Sequence, residues 1–464
     1  MTVLKTAGKL GVLGAASLVF SNMVGAGIFT TSGFVIESLR SPALLLAVWA
    51  LGGFLALAGA ATYGELGASL PKVGGDYVYL RKAYGPLAAF LSGWMSFFAG
   101  FGAPIALTAL GFVEYLTPLA PWLTTQGHEP LVSIFGLSPT VSVGHLAAVC
   151  AIWLLSLIHY LGIRTSGRLQ FSITLLNVLL IVCFLVAALN SNAGSWSNFT
   201  PGPGTPVLSA GEILPAVAVS LIIVLYAYMG FNAAAYVAGE IRNPGRNLPR
   251  SLLTGTVVVV VLYLALNLVY IYALPVEKMS GRIDVAGLAA TELFGRRAGV
   301  LFSIVVAICV LACSSAMICI GPRIYYVMAG DGVFFSSAGR LSRRYGTPGA
   351  ALVLQALWAS VLVIMGTFGQ LLIYCGFLLS FFAALTVSSV FVLRHRHPEL
   401  ARPYKAWGYP LTPVFFVAVL LWMMIYSVFT RPAESLIGAV IVGLGIPAYF
   451  IWKRKNRDKT SRCD

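Results

Sequence analysis

The chain has 464 residues, 59% hydrophobic and only 10% charged, with a mean hydropathy of +0.89. A water-soluble domain carries about 25% charged residues, so this composition excludes a soluble protein and indicates an integral membrane one. The formal charge of +15 sits in the connections between apolar runs rather than in one patch, which argues against a nucleic-acid partner.

In chain order, runs apolar enough to span a bilayer, which takes about 20 residues, recur twelve times. They lie roughly at 11–36, 42–69, 86–116, 143–163, 169–190, 212–239, 251–274, 298–328, 349–366, 369–393, 412–430 and 433–452. Residues 1–10 read as an N-terminal segment, 11–190 as a first block of five spans and 191–211 as an external loop. Residues 212–393 then read as a second block of five, 394–452 as a connection with two further spans, and 453–464 as a basic tail. The first run is too long for a cleavable signal, and no soluble domain is expected.

With the N-terminus in the cytoplasm, 24 of the 30 Lys and Arg fall on that side, from Lys5 and Lys9 through Lys72, Arg81 and Lys82 to the tail. Arg40, Lys278, Arg282, Arg296, Arg297 and Arg431 fall opposite. This positive-inside bias implies that both termini are cytoplasmic and supports an even number of spans. The tail run KRKNRDK at 453–459 is expected to touch anionic lipid. Six of the seven cysteines lie within spans and Cys463 in the tail, so no disulfide framework is implied.

The first span contains Gly25, Ala26 and Gly27 at its centre. Small residues there have two readings: close packing of neighbouring helices, or a local unwinding, which is tolerated at membrane depth only where backbone lines a cavity or is buried in protein. The sixth span has a second such place, Gly230 flanked by Tyr226, Tyr228, Phe231 and Asn232. Two interrupted helices five apart are the signature of a transporter built from two inverted five-helix repeats, with its site between them. An unwound point exposes N–H groups that favour an anion and carbonyls that favour a cation. With no Asp, Glu, Lys or Arg in either break, the fitting ligand is a zwitterionic α-amino acid.

Several stretches resemble the amino acid–polyamine–organocation (APC) transporter superfamily. They are GAGIF at 25–29, YGELGASLPKVGGDYVYL at 63–80, GIRTSGRLQ at 162–170, GFNAAAYVAGEIRNPGRNLPRS at 230–251, PRIYYVMAGDG at 322–332 and RPYKAWGYPLTP at 402–413. The resemblance implies an all-α, twelve-helix LeuT-like fold: a 5+5 inverted repeat with discontinuous helices 1 and 6, plus two extra C-terminal helices. It implies that the substrate carboxylate meets N–H groups around Ala26, Gly27 and Ile28, with Gly25 also in the substrate site. The ammonium would meet carbonyls near Met23 or Val24 and of Tyr226, Ala227 and Met229, beside Tyr228, Gly230 and Phe231. Residues 93–102 of the third span would add bulk. Tyr226 falls where relatives carry an aromatic gate. Asn232 falls where transporters of large neutral amino acids carry Asn and several cationic-substrate antiporters carry Glu, which tilts the substrate toward neutral side chains.

Asn177, seven residues after Gln170, stands where some sodium-independent relatives place a Lys. Ser314 and Ser315 are hydroxyls of the type that coordinate sodium elsewhere in this fold, or simply bond a carbonyl one turn back. Proton coupling or exchange is expected over sodium coupling, with Glu114 as a further proton candidate. Intramembrane acids are costly and often functional. Glu65 is read as an inner gate held by Arg81 or Lys82, Glu240 as part of a pair or cap with Arg242, and Glu212 as lying near a helix end. His159 is read as structural, and the segment 75–86 as an interfacial closure of the cytoplasmic side.

Metal-binding HExxH, paired aspartates and a Ser/His pair are absent from the spans, so no enzyme, metal or cofactor is expected. A channel would want a pore-lining repeat; a non-transporting amino acid receptor and a polyamine or cationic amino acid carrier remain the rivals. The loop 119–142 has no cysteine. Relatives that pair with a single-span heavy subunit use one there, so a disulfide-linked partner is not expected, while a homodimer is left open. The compact length looks prokaryotic, which places the chain in an inner membrane.

Overall fold

The computed structural model describes residues 10–126, 141–161, 166–200, 208–342 and 344–460, and their side chains except at 26, 166–174 and 455–460. Lys5, Lys9, residues 162–165, the Gln170 side chain, the centre of the loop 119–142 and Cys463 lie outside that description. The described chain is helical; the β-structure among its residues is a single isolated parallel bridge between Leu10 and Ile241.

The helices are α1 (Val12–Met23), α2 (Ala26–Thr30), α3 (Ser32–Leu39), α4 (Pro42–Ser69), α5 (Asp76–Tyr84), α6 (Pro86–Met95), α7 (Gly102–Glu114), α8 (Val143–Tyr160) and α9 (Ser166–Leu189). There follow α10 (Ala210–Tyr228), α11 (Pro244–Ala273), α12 (Val276–Met279), α13 (Val285–Phe294), α14 (Arg296–Gly330), α15 (Gly349–Met365), α16 (Phe368–Arg396), α17 (Leu411–Thr430) and α18 (Pro432–Thr460). Among the described residues, ten helical stretches are long and apolar enough to cross a membrane, and 175–189, 285–294 and 349–365 form shorter apolar helices.

Local chemistry sets the ends. Pro42, Pro86 and Pro244 stand at first helical positions, where the missing N–H costs nothing. Capping boxes close two starts. The Ser209 N–H donates to Glu212 Oε2 at 2.8 Å, and the Thr367 N–H to Gln370 Oε1 at 3.0 Å, satisfying N–H groups that the first turn leaves free. α11 starts at Pro244, seven residues before its apolar run, because Arg246 and Arg250 extend the helix past the apolar zone.

Small residues let the helices close on one another. α4 runs along α11 and also meets α10 and α17. A Cβ built on Gly52 would lie 2.5 Å from Val224 Cγ1, one on Gly59 2.9 Å from the Phe231 ring, and one on Gly67 2.4 Å from Leu248 Cδ2. At the other end, Gly33 abuts the backbone of Arg282, the Gly281 N–H donates to the Gly33 carbonyl at 3.0 Å, and the Tyr115 hydroxyl donates to the Phe29 carbonyl. That end of the bundle is tightly packed around α3.

The third span, read as continuous, changes winding. Residues Ser96–Phe101 form a π-turn between α6 and α7. Pro104 explains it: it has no N–H for the Gly100 carbonyl and its ring crowds that turn. Neighbours take up carbonyls in this stretch. Trp358 Nε1 donates to the Phe98 carbonyl at 2.8 Å and the Tyr374 hydroxyl to the same oxygen at 3.2 Å.

Candidate functional site

Two interruptions build the site. α1 ends at Met23 because Val24 (φ −77°, ψ 89°) and Gly25 (φ −147°, ψ −142°) leave helical geometry, and α2 resumes at Ala26. α10 ends at Tyr228; Met229 is extended (φ −58°, ψ 142°) and Gly230 has φ +109° before a 3₁₀ segment over Ala233–Glu240. Only glycine adopts the Gly230 conformation without strain.

The interruptions lie against each other. A Cβ on Gly27 would fall 2.5 Å from Ala227 Cα, and one on Gly230 2.7 Å from the Asn22 carbonyl carbon. A Cβ on Gly25 would strike Cys313 Sγ at 2.3 Å. Tyr263 of α11 joins the two breaks: its hydroxyl donates to the Met23 carbonyl and is 3.2 Å from the Ala227 carbonyl.

Beside them lies a cavity holding about 980 Å³ of empty space, its open mouth included. Of the residues singled out in the sequence, Met23, Gly25, Gly27, Tyr226, Ala227, Met229, Gly230 and Asn232 line it. Val24 of the break and Ile28 of α2 are not on its wall. Tyr228 faces away, its hydroxyl donating to the Trp49 carbonyl at 3.1 Å. Phe231 also turns out, packing edge-on against Tyr63 at 5.5 Å. The π-turn contributes Ser96, Gly100 and Phe101; α7 adds Pro104 and Thr108, and α14 adds Cys313 and Met317. Phe382 and Ala383 of α16 close the ring.

The polar candidates fall in different places. Asn177 is buried with its Oδ1 unpartnered, and Ser314 is buried with its hydroxyl unpartnered, among the described residues. Ser315 shares a hydrogen bond of 2.8 Å with His159 Nε2. None of the four is on the cavity wall. Glu114 is 5% exposed and accepts from the Thr125 N–H and hydroxyl, anchoring the loop after α7. Glu212 serves the capping box at the start of α10. The Glu240 carbonyl accepts from the Leu10 N–H at 3.1 Å. Among the described residues, no group of three or more His, Cys, Asp and Glu is placed to hold a metal ion.

Glu65 requires a correction of partner. Its carboxylate, 2% exposed, receives a two-pronged contact from Arg394 at 2.8 and 2.6 Å, the Ala406 N–H at 2.7 Å and a longer approach from Arg402 at 3.7 Å. Arg81, one of its two sequence-based partners, pairs instead with Asp331 at 2.7 Å. Packing decides the partner: α16 lies against α4 and brings the Arg394 guanidinium onto both carboxylate oxygens.

Asp76 is the acid on the cavity wall. It is 7% exposed, and Tyr236, also on the wall, donates its hydroxyl to Oδ2 at 2.8 Å. Burial pushes its carboxyl up to about 6, while the hydroxyls of Tyr63, Tyr236 and Thr386 pull the other way. Sequence reading placed it in an interfacial segment, and the Gly74–Gly75 pair before it was the signal that the chain turns there. Tyr263 was missed as well; a Tyr within a Val- and Leu-rich run, one turn before Asn267 on the same face, was the available cue.

The chain is similar to known proteins over nearly its whole length. The chain is 27% identical over 454 residues to the human large neutral amino acids transporter small subunit 2, covering 96% of this chain and 81% of that one. It is 27% identical to the human b(0,+)-type amino acid transporter 1, over 96% and 88% of the two chains. The serine/threonine exchanger SteT of Bacillus subtilis is 26% identical over 96% of this chain and 97% of its own. Residues 10–446 match the profile described as amino acid permease, so the chain belongs to the amino acid permease family.

Proposed function

We propose that the protein is a secondary transporter that moves neutral amino acids across an inner membrane by alternating access, and not an enzyme. The observation that carries this reading is the meeting of two interrupted helices at one cavity. The first N–H groups of α2 lack partners within their helix and stand ready for a carboxylate. The carbonyls of Met23, Tyr226 and Ala227 offer the opposite pole to an ammonium. Relatives whose names specify large neutral amino acids and serine/threonine support neutral side chains, and the name of the bacterial one supports exchange as the mode.

In this reading the twelve apolar runs are twelve spans, 11–190 and 212–393 are inverted repeats, and both termini face the cytoplasm. Tyr226 covers substrate, Glu65 steadies the inner side through α16, and Asn177, Ser314 and Ser315 are the places to look for ion coupling. With no cysteine in 119–142, a disulfide-linked partner is not anticipated through that loop, although the human large neutral amino acids transporter carries "small subunit" in its name.

A cationic amino acid substrate is the second reading, favoured by one observation: Asp76 shares the cavity with Tyr226 and Asn232. Thermal unfolding of the purified protein against common amino acids and polyamines, with and without sodium, separates the two, since a ligand that binds only the folded state raises its stability. Stabilisation by leucine or serine supports the first reading; stabilisation by lysine, arginine or a polyamine alone supports the second.

A further inference from the structure

Gly74 and Gly75 have φ values of +127° and +51°. These left-handed residues turn the chain after α4, so that the first side chain of α5 points inward rather than toward the membrane interface. That side chain is Asp76. It caps nothing in its own helix. One oxygen is held by Tyr236; the other, Oδ1, is buried without a hydrogen-bond partner. No ion pair among the described residues includes it.

The groups that face Asp76 are all hydroxyls: Tyr63 from α4, Tyr79 from α5 itself, Tyr236 from the 3₁₀ segment and Thr386 from α16. Tyr63 Oη, Tyr79 Oη and Thr386 Oγ1 are themselves buried and unpartnered. The basic residues of α5 and α16 that form ion pairs are committed elsewhere, Arg81 to Asp331 and Arg394 to Glu65. A carboxylate out of water with no cation is costly, so the charge must be met by a cation that comes and goes. Phenolic and threonine hydroxyls donate hydrogen bonds to a carboxyl in either state. They do not make the cage of strong oxygen donors that a metal ion wants, and only one carboxylate oxygen is free.

We propose that Asp76 is a proton-binding site of the transport cavity, protonated while the cavity is closed toward α5 and deprotonated when that mouth opens, so that amino acid movement depends on pH. On release, the O–H bond of the carboxylic acid breaks and the proton passes to water in the mouth. The carboxylate left behind is held by Tyr236, with the Tyr63 and Thr386 hydroxyls facing it. Burial sets the group to titrate near 6, within the range a cell traverses. The inference rests on the reading that the chain moves amino acids, and its test has one arm that does not.

The first arm is pH-difference infrared spectroscopy of the full-length purified protein, wild type and Asp76→Asn, without substrate. A carboxylic acid C=O band that disappears as pH rises through about 6 is expected in the wild type and absent in the variant; the same band in both overturns the proposal. Tyr236→Phe keeps the acid and removes a hydrogen bond to its charged form, so it raises the midpoint; an unmoved midpoint counts against the site, and this variant also decides the matter if Asp76→Asn does not fold. The second arm is uptake of radiolabelled L-leucine, L-serine, L-lysine and L-arginine into proteoliposomes between about pH 5.5 and 8. A change of about threefold or more in the wild type, with a flat profile in Asp76→Asn, is expected from one titrating group. Equal pH dependence in both overturns the proposal, as does a variant that loses only lysine and arginine uptake, which would make Asp76 a substrate contact. If no amino acid is moved at any pH while the infrared band is present, the transport reading fails and the proton site stands.

Discussion

Tyr263 on α11 donates its hydroxyl to the Met23 carbonyl at the end of α1 and sits 3.2 Å from the Ala227 carbonyl near the end of α10. One side chain therefore serves carbonyls at both interruptions, holding them in a common geometry. Tyr263→Phe keeps the ring, which packs between Trp49 and Tyr228, and removes only the donor. Leaving buried acceptors short of a partner costs about 1–3 kcal/mol. The variant should unfold at a lower temperature and show a changed apparent affinity for amino acid, measured by thermal unfolding and by uptake kinetics.

Gly27 meets Ala227 backbone to backbone, so there is no flexible side chain to give way. Gly27→Val should force α2 and α10 apart and lower uptake by about tenfold or more, because a misplacement of the order of an ångström is enough to disrupt a positioned site. Radioligand binding to the purified variant checks this. Unchanged affinity would separate the Gly27 contact from substrate binding.

Tyr226 is 7% exposed and borders the cavity. Tyr226→Ala enlarges existing space rather than opening a new void in the core, so it should reduce transport rate far more than melting temperature. Paired measurements of uptake rate and thermal unfolding test the difference.

Glu65 belongs to stability rather than to the cavity wall. Glu65→Gln leaves Arg394 facing a neutral amide at a buried site, and breaking a buried pair from one side costs about 3–5 kcal/mol. The expected result is a large fall in melting temperature and in folded yield; Arg394→Lys, which keeps the charge but loses the two-pronged contact, should fall in between.

What the residues disclosed in advance follows their physics. Small residues in the middle of an apolar run have few reasons to be there, so the places where α1 and α10 stop were legible from Gly25, Gly27 and Gly230. The helix-to-helix partners were not. Glu65 and Arg394 are 329 positions apart, and nothing local distinguishes Arg394 from Arg81 as a mate. The π-turn depends on which neighbours take up its carbonyls, and Trp358 and Tyr374 reach it only through packing. Asp76 was visible as a charge in a polar stretch, but its inward direction follows from two glycine dihedrals. Within the site, alternation of faces decided the outcome: Tyr226 and Asn232 reach the cavity while Tyr228 and Phe231 between them turn away.

Reconstituted transport tests most directly whether the two helix breaks form one amino acid site. Purified protein in liposomes preloaded with unlabelled amino acid should take up radiolabelled L-leucine or L-serine, and Gly27→Val, folded by thermal unfolding, should not. Full uptake by that variant, or none by the wild type for any amino acid, would contradict a shared site.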